Sequence, residues 1–295
     1  MLNKNIWLAS GKTGLGNRKI NQINYEVLPN EQAIGQAMFD ELQNVVDEKN
    51  GDVVMILLGG RGAQALHKLL GTKAETDEID DLLSKLHVFT QDALAPLRMN
   101  NSLSFVRDFE RLLGESFFKK VKSFTPMQTE TDDLEAEMQR LIKKFDELGG
   151  IDLFFLGLGP EAENASHLCY IKPNSGAKID DFAGVIPISE SILEHHISKF
   201  KAGGTVISEA DETECRNAKF ILTLGPAAIL SAKRIVQSVV DASTAPAKVA
   251  CYEKFLHTEL SENLEERAKQ LDANPGLWLR LHSNLRSLIL PDVLA

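Results

Sequence analysis

The chain of 295 residues is 43% hydrophobic and 25% charged with a formal net charge of −10, a composition that fits a soluble α/β protein of one large domain or two small ones. The negative balance argues against nonspecific nucleic-acid binding and against an anionic membrane surface, and no apolar run approaches the roughly 20 residues that span a bilayer. Cys169, Cys215 and Cys251 are widely spaced with no CxxC pair, so neither a disulfide framework nor a zinc site is supported, and each reads as a small buried hydrophobe.

The first ten residues have too short an apolar core for a secretory signal, and a cytoplasmic protein is expected. Residues 1–22, rich in Asn, Lys and Gly, read as a loose N-terminal extension ahead of a single domain over 23–295. A short strand is expected over 24–28. Pro29-Asn30 breaks it and can cap a helix over 31–48, where Ile34, Met38, Leu42 and Val45 recur at helical spacing. The stretch 52–58, apolar without a break after Asp52, predicts a buried strand, which enters Gly59-Gly60-Arg61-Gly62 and then a helix. Successive backbone N–H groups at such a turn, with a helix N-terminus behind them, form an anion site. Gly59, Gly60, Arg61 and Gly62 are therefore candidate phosphate-binding residues, although the spacing matches neither a P-loop nor GxGxxG.

A polar connecting helix follows over 72–84, then a short strand over 87–90 that brings Asp92 to a strand's carboxyl end. A helix is expected over 103–113, capped by Asn101-Ser102, and an edge strand over 122–126. The clearest helix is 131–148, with Leu134, Met138, Leu141, Ile142 and Phe145 on one stripe. Residues 149–163 read as a buried strand running into Gly157-Leu158-Gly159 with Glu161 and Glu163 just beyond. An irregular loop containing His167 fills 164–182. A strand over 184–188 leads to a helix carrying His195-His196, read as a surface pair because adjacent helical positions diverge by about 100° and do not easily share a metal.

Further strands are expected over 203–208 and 218–226, with a short acidic helix over 209–217 between them. A helix over 227–240 would turn Lys233 and Arg234 to solvent. The chain ends with a loop reaching Phe255-Leu256-His257, a charged helix over 259–271 and an apolar strand over 277–281. The alternation of strands and helices predicts an α/β fold, doubly wound, with a mainly parallel sheet and helices on both faces. In such sheets ligands bind beyond the carboxyl ends of the strands.

The order of elements over roughly 24–260 resembles the family of glucosamine-6-phosphate deaminase (isomerase) and 6-phosphogluconolactonase. Leu57-Leu58-Gly59-Gly60 is similar to the opening of that family's phosphate loop, and Phe89-Thr90-Gln91-Asp92 to the strand end carrying the deaminase's acidic base. Gly157-Leu158-Gly159-Pro160-Glu161-Ala162-Glu163-Asn164-Ala165-Ser166 is similar to the lactonase signature Gly-x-Gly-Pro-Asp-Gly-His-x-Ala-Ser. The departures fall on the chemistry. The family's Asp-Gly-His is Glu161-Ala162-Glu163, a later deaminase glutamate aligns with Leu168, and a lysine after the late strand falls at Ala228. The Ser/Thr-Thr-Pro of the phosphate loop is Arg61-Gly62-Ala63, and the lactonase's acid-acid-arginine is Gln91-Asp92-Ala93.

The resemblance implies a sugar-phosphate isomerase-like Rossmann-type fold and a small-molecule sugar phosphate as partner, with no metal or cofactor and a homo-oligomer left open. It implies an isomerase or deaminase acting on a glucosamine-6-phosphate-like hexose phosphate, with Asp92 as the carboxylate base. Glu161 or Glu163 would replace the histidine as proton shuttle, or His167 would supply an imidazole if its loop folds back. Arg61 would grip the phosphate bidentately. The alternatives are a 6-phosphogluconolactonase and a homologue that has lost catalysis and serves as a sugar-phosphate sensor or structural subunit.

Overall fold

Strands that are apolar on both faces need cover on both sides, and the helices supply it. The computed structural model describes residues 4–10 and 18–294. The first half of the chain runs β1 (Ile6–Ala9), β2 (Tyr25–Val27), α1 (Glu31–Glu48), β3 (Val53–Leu57), α2 (Gln64–Ala74), α3 (Asp80–Leu83), β4 (Leu86–Thr90) and β5 (Asp92–Ala95). It continues through α4 (Phe105–Lys120), β6 (Ser123–Thr125), α5 (Leu134–Glu147), β7 (Leu153–Leu156), β8 (Gly159–Pro160), β9 (Ser166–His167) and β10 (Asp181–Pro187). The remainder is α6 (Glu190–Ala202), α7 (Glu209–Arg216), β11 (Phe220–Leu224), α8 (Pro226–Ser231), β12 (Arg234–Val239), α9 (Ala247–His257), α10 (Leu264–Ala273) and β13 (Leu285–Ile289).

Seven strands in the order β2-β13-β12-β7-β3-β4-β6 form a parallel sheet. Alternate residues of its central strands enter two separate cores. Val54, Ile56, Phe154 and Leu156 pack on the α5 side, while Val53, Met55, Leu57, Leu153 and Phe155 pack against α1 and α2. That division is the doubly wound arrangement the unbroken apolar runs predict. Helix starts follow side-chain caps: Asn30 accepts from the Ala33 N–H at 2.9 Å, and Asp133 from the Ala136 N–H at 2.9 Å. No helix among the described residues is long and apolar enough to cross a membrane.

A second sheet, β1-β10-β11-β5, is antiparallel throughout. It takes two strands expected in the parallel sheet, near 184–188 and 218–226. It also takes Ile6–Ala9 from the stretch that reads as a loose extension; residues 1–3 and 11–17 of that stretch lie outside the described residues. Other local expectations are corrected. The segment 203–208 is no strand: Gly204, at φ 80°, closes α6, and the exposed Val206 has no strand beside it. The helix expected over 227–240 stops at Ser231 because the β-branched run Ile235, Val236, Val239 favours the strand β12. Residues 247–257 form α9 rather than a loop. Pro275–Leu281 is a wholly buried 3-10 helix, and a buried run of that length carries no periodicity to separate helix from strand.

Asp152 ties the amino ends of the central strands together. It is 3% exposed. Its Oδ2 accepts from Lys49 Nζ at 2.6 Å and from the Val54 N–H at 2.8 Å, and its Oδ1 from Lys233 Nζ at 2.9 Å. Burial works to raise its pKa, but these donors together outweigh burial and hold the carboxyl below its ordinary value. A depressed folded-state pKa contributes stability that is present above the unfolded value and lost as pH falls through the folded one. Asp152→Asn is therefore expected to lower the unfolding free energy by about 1–3 kcal/mol near neutral pH. Urea titration should show the gap to wild type closing at acid pH; a gap undiminished there contradicts the assignment.

Candidate active site

From β3 the chain moves outward through β4 to β6, then returns to β7 on the other side of β3 and moves out through β12 and β13. The carboxyl ends of β3 and β7 thus form the switch point where α/β sheets open a crevice. Leu58–Gly62 follows β3 and Gly157–Gly159 follows β7, and both line a half-open cleft.

Asp92 lies in the wall of this cleft. Only Gln91 separates β4 of the parallel sheet from β5 of the antiparallel one, so Asp92 sits at the joint between the sheets, opposite Thr223 of β11. It is 2% exposed, and its Oδ1 has no hydrogen-bond partner among the described residues. Burial without a counter-charge pushes its pKa up to about 8. Beside it, Leu168 and Ile171 exchange backbone bonds around a tight turn at Cys169 and Tyr170, whose φ angles are 50° and 58°. The Thr223 hydroxyl donates to the Cys169 carbonyl and fixes that turn against β11.

His167 reaches the cleft because its loop folds back. β8 and β9 form a two-residue hairpin in which Gly159 pairs with His167. The return runs through Glu163 and Asn164, both left-handed with φ near 57° and 58°. His167 Nδ1 lies 2.9 Å from Glu161 Oε1, and Glu161 Oε2 accepts from the Ser191 hydroxyl at 3.2 Å. With Nδ1–H donating to the carboxylate, Nε2 is the proton-accepting nitrogen of the neutral ring. Gly159 makes room for it, since a Cβ there would come 1.8 Å from Nε2.

The sequence candidates therefore separate. Gly59, Gly60, Arg61, Gly62, Asp92 and His167 line one cleft. Glu161 stands behind His167 and orients it. Glu163 is exposed on the outside of the hairpin, where its carbonyl accepts from Lys254 Nζ at 3.1 Å. The His195-His196 pair is not on the surface: His196 is 1% exposed in the core, and His195 lines the cleft. Successive helical residues diverge, so one ring turns into the core and the other into the cleft.

Three cations also face this space. Arg61 Nη2 bonds Glu31 Oε1 at 2.9 Å. Lys199 and Lys248 both donate to Asp241, a left-handed residue at φ 61° just past β12. Burial lowers the pKa of Lys248, opposed by Asp241. Lys199 lies one turn beyond His195 on the same helix face, but that face read as surface, and neither it nor Lys248 carried a signal in the sequence. Ser238 Oγ donates to the Gly62 carbonyl at 2.7 Å and ties β12 to the glycine turn. Among the described residues, no cluster of three or more His, Cys, Asp or Glu has the arrangement to hold a metal ion.

No protein-family model matches the chain. A glucosamine-6-phosphate deaminase from Staphylococcus epidermidis is 26% identical over 259 residues, covering 86% of this chain and 90% of the relative. One from Clostridium beijerinckii is 25% identical over 253 residues, covering 84% and 88%. Among solved structures, a monomeric glucosamine-6-phosphate deaminase superposes with a TM-score of 0.70 at 20% identity, covering 92% of this chain and 100% of that one. A 6-phosphogluconolactonase from Trypanosoma brucei superposes with a TM-score of 0.66 at 16% identity, covering 94% and 98%.

The contact between Gly159 and His167 is directly testable. Gly159→Ala must push the ring out of its seat and is expected to lower the unfolding free energy by about 1–3 kcal/mol. The His167 imidazole resonances should shift with it; resonances identical to wild type would contradict the placement of the ring.

Proposed function

We propose that this chain, a divergent member of the family of glucosamine-6-phosphate deaminases and 6-phosphogluconolactonases, is a sugar-phosphate enzyme that moves a proton between C2 and C1 of an open-chain 2-amino hexose phosphate. The observation that carries the reading is Asp92, a buried carboxyl with an unpaired oxygen in the same cleft as an imidazole and an anion cradle. The phosphate is assigned to the N–H groups of Gly59–Gly62, to Arg61 and to Lys199 and Lys248. His167 Nε2, oriented by Glu161, exchanges the proton that opens the sugar ring. Ionised Asp92 then takes the C2 proton, leaving an enolamine across C1 and C2, and returns it to C1. The resulting C2 iminium adds water and releases ammonia, leaving a ketose phosphate.

What supports the isomerase reading over the lactonase reading is the carboxylate's position and its sequence relatives. The curated relatives are named deaminases, and Asp92 is the carboxyl that the sequence resemblance implies as the base. The reading takes a cytoplasmic enzyme and assigns no cofactor. Glu163, exposed and outside the cleft, has no role in it.

Asp92 acts as a base only when ionised, and its pKa stands at about 8. The value of kcat/KM for glucosamine 6-phosphate should therefore rise with pH through about 8 and then level. Asp92→Asn is expected to lower turnover by about 10²–10⁴-fold. Its melting temperature at pH 8 should match or exceed wild type, because a raised carboxyl pKa means that ionisation costs folded-state stability as pH rises from the unfolded value to about 8. Hydrolysis of 6-phosphogluconolactone outpacing glucosamine 6-phosphate turnover, and indifferent to Asp92→Asn, would sink the assignment.

A further inference from the structure

The two adjacent histidines of α6 have opposite hydrogen-bonding states. His196 is fully used: its Nδ1 accepts from the Tyr170 hydroxyl at 2.9 Å, and its Nε2–H donates to the Leu103 carbonyl at 2.7 Å. One turn on, Phe200 packs on its ring with centroids 4.6 Å apart. His195 is half-buried and lines the cleft, yet no group among the described residues hydrogen-bonds its ring. Its ring nitrogens are not closed off by protein, so they open onto the cleft with one donor and one acceptor free to pair with what fills it.

The surroundings say what that partner is. On one side the His195 ring meets His167 edge to face, with centroids 5.3 Å apart. On the other, Lys199 lies four residues along the same helix face, and both line the cleft with Lys248. Burial, with the neighbouring charges of His167, Lys199, Lys248 and His196, pushes the His195 pKa down to about 2. The ring is therefore neutral wherever the enzyme works, holding one donor and one acceptor. A neutral imidazole that cannot charge is a poor proton donor to a reaction but a good reader of hydroxyl groups.

We propose that His195 is a specificity-determining residue whose ring hydrogen-bonds a hydroxyl on the middle carbons of the hexose phosphate. The inference rests on the sugar-phosphate reading above. A ligand with its reacting end at His167 and Asp92 and its phosphate at Arg61 and the two lysines lays its C3–C4 segment against His195. The sequence pair His195-His196 is thus one core residue and one reader of substrate.

Calorimetry with glucosamine 6-phosphate, its 3-deoxy and 4-deoxy analogues and inorganic phosphate tests this in wild type, His195→Phe and His195→Gln. Wild type should bind at least one deoxy analogue about 10–100-fold more weakly than the parent. His195→Phe should bind the parent more weakly by a similar factor and no longer distinguish that analogue. His195→Gln, which keeps a donor and an acceptor, should recover part of the discrimination. Inorganic phosphate should bind all three forms within about twofold, since its cations are untouched. Equal discrimination by wild type and His195→Phe overturns this inference alone. Wild-type protein that binds no hexose phosphate overturns the sugar-phosphate reading and the inference with it.

Discussion

A carboxyl group with no counter-charge, held at the joint between two sheets, is the constraint around which the cleft is built. An isolated buried carboxylate is costly, so the group keeps its proton until a substrate or a rise in pH changes the balance. Its position follows from backbone: β4 ends at Thr90, β5 begins at Asp92, and the pairing with Thr223 fixes where the side chain leaves the chain. The left-handed turn at Cys169 and Tyr170, held by Thr223 and by the Tyr170–His196–Leu103 chain of bonds, closes the wall beside it. None of the three cations in the cleft is spent on Asp92. Arg61 pairs with Glu31, and Lys199 and Lys248 pair with Asp241. Positive charge and the base are kept apart, as a ligand with an anionic end and a reactive carbon end requires.

The second organising contact is a substitution of place. Where the related signature has a histidine, this chain has Glu163, which the hairpin turns outward. An imidazole nevertheless reaches the cleft from His167, across the hairpin from Gly159. Two consecutive left-handed residues, Glu163 and Asn164, make the reversal, and such strained positions are characteristic of sites where geometry matters more than local comfort. Glu161 then does for His167 what a carboxylate commonly does for a working imidazole: it selects the tautomer and fixes the ring. The acids that look like catalytic groups in the linear sequence become a support and a turn.

Within the parallel sheet β3 and β7 were legible because they are continuous apolar runs ending in glycine, a pattern that two-sided burial explains, whereas β12 read as the end of a helix and β13, with Arg286 and Ser287 in it, did not read as a strand. The Gly59–Gly62 turn followed from the end of β3 and Asp92 from the end of β4. The antiparallel sheet was not legible, since β1, β10 and β11 carry the same apolar residues and pairing direction leaves no mark on a single strand. Pro275–Leu281 was misread for a related reason: total burial erases periodicity. Lys248 has no local signal, because its approach to Asp241 depends on how α9 packs beyond β12. His195 was visible as a residue but not as a site, because helical phase alone cannot say which face meets a cleft.

The account stands on the protonation of Asp92. Infrared difference titration of the wild-type protein against Asp92→Asn reads it directly. The expected result is a protonated-carboxyl C=O band, absent from the variant, that gives way to carboxylate absorption as pH rises through about 8. A wild-type carboxyl already ionised at pH 6, with no such band, would contradict the uncompensated burial from which the proposed chemistry is derived.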